Sequence, residues 1–409
     1  MSDLSGETPE APEPTPEGTM PSVAARLALY QRAGGFIVPL ITTVFAFFIG
    51  GLVVLVVTHK NPISTYKAIF NGTGLNWFFP WLSHSERVTA AFNLQATLIL
   101  TTALILTGLA VAFAFRCGLF NIGGQGQYNL GAIVAVLVAS SWTGMPGIPH
   151  ILLSIVLGAL AGALLAGFAG LLKATVGAHE VITTIMLNWI VFWLAGYLFG
   201  IGGPAQSSTQ ASVPVSNEIA PNTHLHVFWG NPILQGLHIG FFIAIGALVA
   251  YWIVLNRTTL GFEVRAVGFN PEAARYAGIS VAKNYFLAMA IAGVCAGLAG
   301  AIDVLGWKFR VGVDDVQGSS IGFIGIAVAL LGRNTAVGVF FSALLFGALV
   351  NGTSTRNLDP NIFQPELASN LTLMIQGLVL LFVGADVIVI YFWRTRGRLA
   401  FWRRSERAG

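Results

Sequence analysis

Long apolar runs dominate this sequence, and several approach or exceed the roughly 20 residues that cross a bilayer as a helix. Residues 94–115 and 369–392 are examples of such runs. Of all residues, 55% are hydrophobic and only 9% are charged, and the mean hydropathy is +0.75. Soluble domains are usually about one quarter charged. The chain is therefore predicted to be all-α, as a polytopic membrane helical bundle.

About ten transmembrane helices are expected. Their approximate ranges are 36–58, 94–115, 120–141, 150–172, 180–200, 237–255, 284–305, 318–332, 336–352 and 369–392. The eighth and ninth are short, which leaves room for a tilted, broken or re-entrant segment. The spans make one transmembrane domain, 26–393, between an acidic, proline-rich tail, 1–25, and a basic tail, 394–409. The acidic tail is expected to be disordered because it lacks the apolar residues needed for a core.

The basic residues predict the orientation of the spans, because Lys and Arg concentrate in cytoplasmic loops. With both termini placed in the cytoplasm, most of the 21 basic residues lie inside. Those left outside are Lys60, Lys67, Arg87, Lys308, Arg310 and Arg356. The loops 59–93 and 201–236 are then long outer loops, and 256–283 is the one long inner loop.

Several classes of activity find no support in the sequence. It contains no G-x-x-x-x-G-K-[ST] or H-E-x-x-H motif and no nucleophile–base constellation, so no nucleotide-hydrolysing or catalytic site is expected. Cys117 and Cys295 match no metal-binding spacing, and His224 and His226 are interpreted as surface residues. The basic residues are dispersed over short loops and the C-terminal tail, which argues against a nucleic-acid partner.

The stretch 120–131, FNIGGQGQYNLG, places four glycines and four amide residues between apolar runs. One interpretation is a tight turn between the second and third spans. The other, which we favour, is that the chain re-enters the membrane or that the third helix begins unwound inside the protein. Irregular backbone is tolerated at membrane depth where it faces protein or a water-filled path, and transporters build sites there. The candidate pathway residues of this stretch are Asn121, Gln125, Gln127 and Asn129.

The fifth span adds polar residues at a spacing of four, which places Glu180, Thr184 and Asn188 on one helix face. A carboxylate within a span is a functional candidate, although Glu180 could equally cap the helix at the inner surface. Gln317 lies at the outer end of the eighth span. Amides of this kind can both donate and accept hydrogen bonds, which suits a polar solute.

Small residues recur every four positions in the fourth span, at Ser154, Gly158, Gly162, Ala166 and Gly170. The seventh span repeats the pattern with its glycines at 293, 297 and 300. Small residues let helix backbones approach closely in lipid. These stripes predict either simple helix packing or, less simply, a sliding seam.

The inner loop 256–283 contains strong helix-end signals. Asn270 suits an N-cap, Pro271 the first helical position, and Glu272 the first turn. Gly278 suits a left-handed stop, so a short helix over Pro271–Tyr276 is predicted. Such a helix is marginal alone. It either lies on the lipid headgroups or, as we favour, docks on a soluble partner.

Four segments together resemble the nucleoside and simple-sugar permeases of ABC importers, a branch related to branched-chain amino acid permeases. They are GLFNIGGQGQ (118–127), AHEVITTIMLNWI (178–190), GFEVRAVGFNPEAARYAGIS (261–280) and GFIGIAVALLGRN (322–334). The likeness runs from about residue 94 to 385. It identifies 256–283 as a coupling loop whose contact residues are Asn270, Pro271, Glu272, Ala273, Ala274, Arg275 and Gly278.

The resemblance implies several partners. They are a cytoplasmic ABC ATPase that binds ATP and Mg²⁺, a second homologous permease subunit, and an extracellular lipoprotein that delivers a nucleoside. This chain itself would need no cofactor and would be a multi-pass protein of the bacterial cell membrane. Family members often carry Glu where this chain has Gln125, which weakens a proton- or cation-binding role there but not a hydrogen-bonding one. The alternatives are a simple-sugar permease and an ion-coupled secondary transporter.

Overall fold

The computed structural model describes residues 43–56, 59, 61–142, 144–231 and 236–354, together with 370, 373, 374 and 377. The predicted tails 1–25 and 394–409 lie outside the described residues, as does nearly all of the predicted span 369–392. The described residues are mostly helical, as expected for a polytopic membrane protein.

The helices follow one another closely along the chain. They are α1 Thr43–Val56, α2 Pro62–Thr73, α3 His84–Arg116, α4 Gly124–Ser141, α5 Gly147–Val176, α6 Glu180–Phe199, α7 Gly240–Arg257, α8 Thr259–Phe269, α9 Pro271–Tyr276, α10 Val281–Asp303, α11 Val313–Gln317, α12 Ile321–Leu331 and α13 Ala336–Gly352. A π-helical turn, Val304–Lys308, extends α10.

Within the described residues, six helical segments are long and apolar enough to cross a membrane. They are α3, α5, α6, α7, α10 with its π-helical turn, and α11 together with α12. α1 and α13 are shorter apolar helices. Each predicted span up to residue 352 coincides with a helix, while the total of ten crossings stays a prediction.

Two predicted outer loops contain regular structure, which corrects the sequence interpretation. The loop 59–93 includes α2, capped by Asn61, and the start of α3, where Ser83 and Glu86 form a capping box. In the loop 201–236, strand β1, Val227–Trp229, pairs antiparallel with β2, Leu237–His238, just beyond it. This short strand pair satisfies backbone groups of the loop and leaves the described residues mostly helical, as the fold-class prediction expects.

The helix termini gather at two opposite ends of the bundle. At one end, the Arg116 guanidinium and the Tyr251 hydroxyl both donate to the carbonyl of Asn334, at 2.6 and 2.7 Å for the closest atoms. At the other end, the amide of Ala220 donates to the carbonyl of Ala139 at 2.9 Å. We call the first the Arg116 end and the second the Ala220 end. The α8–α9 hairpin lies at the Arg116 end, where Gly268 of α8 packs against Gly118.

The predicted small-residue stripes face each other. A Cβ atom placed on Gly162 would lie 2.4 Å from the carbonyl oxygen of Gly293, and one placed on Gly297 would lie 2.5 Å from that of Gly158. No real Cβ atom is tolerated at such distances, so only glycine permits this approach of α5 to α10. The packing interpretation of these stripes is confirmed, which makes this pair the tightly packed centre of the fold.

A break lies at the start of the eighth predicted span, 318–332, where a broken segment was one of the outcomes that the short length allowed. Residues 318–320 separate α11 from α12. With 11 residues, α12 is about 16 Å long, roughly half the hydrocarbon thickness of a bilayer. Because α12 ends beside Asn334 at the Arg116 end, its first residue lies near the middle of the bundle. The Thr107 hydroxyl of α3 reaches the carbonyl of Ile321 there, at 3.4 Å.

Candidate functional site

A cluster of buried amides surrounds the first two turns of α4. Asn121 and Gln127 form a reciprocal pair, in which each side chain donates to the other, at 2.9 and 2.8 Å. Both side chains are fully buried. This pairing holds the connection from α3 against the start of α4 and satisfies the amides locally.

Gln125 and Asn129 join α4 to the break between α11 and α12. The Gln125 Oε1 atom accepts from the backbone amide of Gly322 at 2.8 Å, and its Nε2 atom donates to Asn129 Oδ1 at 3.3 Å. The Asn129 Nδ2 atom donates to the carbonyl of Val316 at 3.1 Å. Gln125 thus acts as a side-chain cap from another helix, satisfying an N–H that α12 leaves open at its start.

Asn188 ties α6 to the same region. Its Oδ1 atom accepts from the amide of Gly126 at 2.8 Å, and its Nδ2 atom donates to the carbonyl of Ile122 at 3.1 Å. A Cβ atom on Gly126 would lie 2.6 Å from Asn188 Oδ1. The glycine therefore allows α6 to approach α4 closely enough for these hydrogen bonds to form.

The remaining predicted pathway residues lie at the edges of this amide cluster. Glu180 is the first residue of α6, and its carboxylate pairs with Lys173 at 2.9 Å. Thr184 is buried, packs close to Gly123, and donates its hydroxyl to the carbonyl of Glu180 in its own helix at 2.8 Å. Gln317 ends α11 with its side chain exposed.

The glycine-rich stretch 120–131 combines parts of both sequence interpretations. Its first four residues form a partly buried irregular connection, and α4 is a regular helix from Gly124 onward. The favoured interpretation, an unwound third helix, is thus wrong beyond residue 123. The helical glycines serve packing instead: a Cβ atom on Gly131 would lie 2.3 Å from the carbonyl oxygen of Gly297.

The sequence analysis missed a buried ionisable cluster beside the amides. The Tyr128 hydroxyl donates to Asp303 Oδ2 at 2.5 Å, and Lys308 Nζ lies 2.8 Å from that hydroxyl and 3.6 Å from the same carboxylate oxygen. Asp303 is 2% exposed. A carboxylate within an apolar helix was the available signal. The sequence analysis did not use the Asp303 carboxylate as a signal, because its partner Lys308 was assigned to an outer loop.

The predicted helix-end signals in 256–283 are confirmed. The Asn270 side chain accepts from the amide of Ala273 at 3.0 Å, and Gly278 adopts a φ of +82°. The predicted contact residues Pro271, Glu272, Ala273, Ala274 and Arg275 form α9, between Asn270 and Gly278. The sequence analysis missed α8, which precedes α9 and packs Val264 and Val267 into the core.

The α8–α9 hairpin presents aromatic side chains away from the bundle. Phe269 and Tyr276 are 90% and 92% exposed, and Phe262 is also exposed. Ala274 is buried against the rest of the protein and fixes the orientation of α9. Bulky aromatic side chains with little contact to their own chain are typical of protein interaction surfaces.

Comparison with known proteins places the chain in a family. A family model described as "Branched-chain amino acid transport system / permease component" matches residues 93–384. The guanosine ABC transporter permease protein NupP of Bacillus subtilis is 35% identical over 369 residues, covering 88% of this chain and 96% of the relative.

Two further relatives have nearly the same sequence identity to this chain. The nucleoside ABC transporter permease protein NupB of Lactococcus lactis is 34% identical, covering 86% of this chain and 92% of its own length. The glucose ABC transporter permease protein TsgB13 of Haloferax volcanii is 33% identical, covering 90% and 92%. Because the family match spans most of the chain and these relatives align over nearly their full lengths, the protein belongs to the permease component family of ABC transport systems.

Proposed function

We propose that this chain is the permease subunit of an ABC importer and forms a translocation path for nucleosides. The observation that carries the proposal is the amide cluster at the break between α11 and α12, where α4, α6 and α12 meet near mid-bundle. Broken helices near the bilayer midplane are where transporters commonly build substrate sites. Two relatives named as guanosine and nucleoside permeases support the choice of substrate.

The pathway residues we propose are those predicted from the sequence: Asn121, Gln125, Gln127, Asn129, Glu180, Thr184, Asn188 and Gln317. Most of them hydrogen-bond to protein in this structure. A role for them in transport therefore requires a conformational change that opens these pairs to substrate. Exchange of amide–amide for amide–substrate hydrogen bonds is close to neutral in free energy, which suits weak, reversible binding.

Energy is proposed to come from a separate cytoplasmic ATPase that binds ATP and Mg²⁺, because the sequence carries no P-loop. The ATPase contact would be the α8–α9 hairpin, through Asn270–Arg275, Gly278 and the exposed Phe269 and Tyr276. A second homologous permease subunit would complete the path. An extracellular lipoprotein would deliver the nucleoside to the Ala220 end. The site of action is the bacterial cell membrane, with both termini in the cytoplasm.

Alternating access is the mechanism we infer. Closure of the ATPase would move α9, and α8 packs through Val264 and Val267 against the bundle core. Gly268 of α8 lies against the end of α3, since a Cβ atom there would meet the Arg116 carbonyl oxygen at 2.3 Å. The connection that follows α3 leads directly to Asn121 and the amide cluster, so a movement of α9 has a short route to the proposed path.

The test is uptake of labelled nucleoside by proteoliposomes that hold the chain with its partner subunits. We expect uptake that requires ATP inside and loaded binding protein outside, and that is inhibited by unlabelled nucleosides but not by glucose. Competition by glucose alone would instead assign the chain to sugars, as one relative's name would suggest. Uphill uptake by the chain alone on an ion gradient would overturn the proposal in favour of a secondary transporter.

A further inference from the structure

The segment between α10 and α12 is attached to α4 at both of its ends. This segment, residues 304–320, is here called the α10–α12 linker. Gln125, Tyr128 and Asn129 lie at a spacing of three and four residues, so they share one face of α4. All three side chains form hydrogen bonds with the linker or with residues that flank it.

Tyr128 holds the first end of the linker. Its hydroxyl lies between Asp303, the last residue of α10, and Lys308, the last residue of the π-helical turn. The Lys308 ammonium also lies 5.3 Å from the centre of the Tyr128 ring. A hydrogen bond to a buried carboxylate is among the stronger kinds in proteins. Tyr128 therefore joins α4 to both sides of the π-helical turn.

Gln125 and Asn129 hold the second end. Asn129 bonds to the carbonyl of Val316 in α11, and Gln125 bonds to the amide of Gly322 in α12. The three side chains of α4 therefore fix where the linker leaves α10 and where it enters α12. They set the geometry of the break at residues 318–320.

The outer loop 201–236 forms hydrogen bonds to the linker between these two attachments. The amides of Ser216 and Ile219 donate to the carbonyls of Val311 and Phe309, at 2.8 and 2.9 Å. His224 stacks on Phe309 with ring centres 4.0 Å apart, and Phe309 has a φ of +60°. The loop proposed to receive the binding protein is thus hydrogen-bonded to the segment that leads to the amide cluster.

We propose that Tyr128, with Asp303 and Lys308, is a positioning group that makes the α10–α12 linker transmit binding-protein docking to the amide cluster. This inference rests on the proposed importer function. With Tyr128 in place, a displacement of the outer loop moves the linker as one body about its attachments to α4. Without the Tyr128 hydrogen bond, the linker deforms near residues 304–308. A displacement of the outer loop then no longer moves the break at 318–320.

The first test compares two tyrosine hydroxyls of similar burial at opposite ends of the bundle. Tyr128→Phe removes the bond to Asp303, while Tyr251→Phe removes a 2.7 Å bond to the carbonyl of Asn334. The readout is the ratio of ATPase activity with loaded binding protein to that without it. We expect the ratio to fall up to about tenfold in Tyr128→Phe, as loss of one charge-assisted hydrogen bond allows. Tyr251→Phe should keep the wild-type ratio.

An unchanged ratio of ATPase activities in Tyr128→Phe would overturn the proposal. A fall in the amount of assembled complex would not rescue it, because a hydrogen bond with a purely structural role affects assembly alone. Asp303→Asn leaves the Lys308 charge buried and unpaired, so low abundance is expected. The double variant Asp303→Asn with Lys308→Gln removes both charges and keeps an acceptor for the Tyr128 hydroxyl. It should recover abundance and give a ratio above that of Tyr128→Phe, since a neutral hydrogen bond keeps part of the attachment, and recovery of abundance with a ratio as low as that of Tyr128→Phe would contradict the assigned role.

The second test does not depend on transport. Ser319→Cys places a thiol at the break, and its labelling by a maleimide is compared with the background from the native Cys117 and Cys295. Adding Tyr128→Phe should raise the labelling rate, and adding Tyr251→Phe should not. Equal rates in both would refute the proposal. If the binding protein fails to stimulate the wild-type complex, the proposed function is wrong, and the labelling comparison still decides the role of Tyr128.

Discussion

Gln125 connects two helices through a single side chain. It is the acceptor for the amide of Gly322 at the start of α12 and the donor to Asn129 within α4. A buried N–H without a partner costs about 1–3 kcal/mol. The amide side chain suits this position because it donates and accepts at once without bringing a charge into the bundle.

Replacing Gln125 separates its accepting role from its donating role. Gln125→Leu should leave the Gly322 amide and Asn129 Oδ1 unpaired, and so lower nucleoside uptake by about tenfold or more. Gln125→Glu keeps an acceptor for Gly322 and should retain more uptake than the leucine variant. Uptake is measured per assembled complex, with ATPase binding as the control. Equal uptake by the leucine variant and the wild type would remove Gln125 from the pathway.

Asn188 offers an independent test on another helix. Asn188→Leu removes the partners of Gly126 and Ile122 and places a larger side chain against α4. We expect uptake to fall while binding to the ATPase, measured by co-purification, stays at the wild-type level. Thr183→Leu is a suitable control, since Thr183 lies on α6 and its hydroxyl donates to the carbonyl of His179 in its own turn. A loss as large in the control would contradict a specific role for Asn188.

At the scale of elements, α5 and α10 depend on glycine for their contact. Carbonyl oxygens of one helix occupy the places where Cβ atoms of the other would lie, as with Gly162 and Gly293. Close backbone approach of this kind gives van der Waals contact along the whole crossing, which replaces the hydrophobic effect as the source of helix association in lipid.

The α5–α10 contact predicts opposite effects for two glycine substitutions. Gly162→Ala should destabilise the fold by about 1–3 kcal/mol, because the added methyl group overlaps the Gly293 carbonyl and forces the helices apart. Gly246→Ala in α7 meets open space and should be neutral or slightly stabilising, since alanine favours helix. Thermal unfolding of the detergent-solubilised protein would measure both. Equal stability of the two variants would refute the packing argument.

The α8–α9 hairpin should be separable from the rest of the fold. Deleting 271–278 should abolish binding of the ATPase while membrane insertion remains, because most of this segment contacts little of its own chain. The double substitution Phe269→Ser with Tyr276→Ser should weaken binding in the same way. Trp142→Ser, which removes an exposed aromatic at the other end of the bundle, is the control. ATPase retention on the deleted chain would reject the docking role.

At the scale of the whole molecule, the two ends of the bundle differ in structure. The Arg116 end carries the α8–α9 hairpin with its exposed aromatic residues, and the Ala220 end carries the outer loop, the β1–β2 hairpin and the π-helical turn. The Lys and Arg distribution predicts that the Arg116 end faces the cytoplasm. This arrangement suits energy input from one side and substrate delivery from the other.

Labelling of single added cysteines in intact cells would test this orientation. Tyr276→Cys should be protected from an impermeant maleimide until the cells are opened, and Ser208→Cys in the outer loop should react at once. Both positions are exposed, so burial does not explain a difference between them. Immediate labelling of Tyr276→Cys would reverse the orientation and remove the basis for ATPase docking at this end.

The sequence predicted most reliably those features that depend on neighbouring residues. The α9 cap at Asn270, the stop at Gly278 and the stripe at Gly162 all follow from local geometry. The interpretation of 120–131 was wrong beyond Gly123, because glycine in a sequence signals both turns and close helix contacts. The tertiary contacts of Gly126 with Asn188 and of Gly131 with Gly297 distinguish the two.

The sequence by itself determined that this protein lies in a membrane, how α9 is capped and which face of α5 carries the small residues, because hydropathy, capping and side-chain size act over a few residues. The tertiary structure alone decided that Tyr128 meets Asp303 and Lys308, and that Gln125 reaches the start of α12. These partners are about 175 to 200 residues apart in the chain. Their meeting depends on how α4, α10 and α12 pack, and no local pattern records that packing.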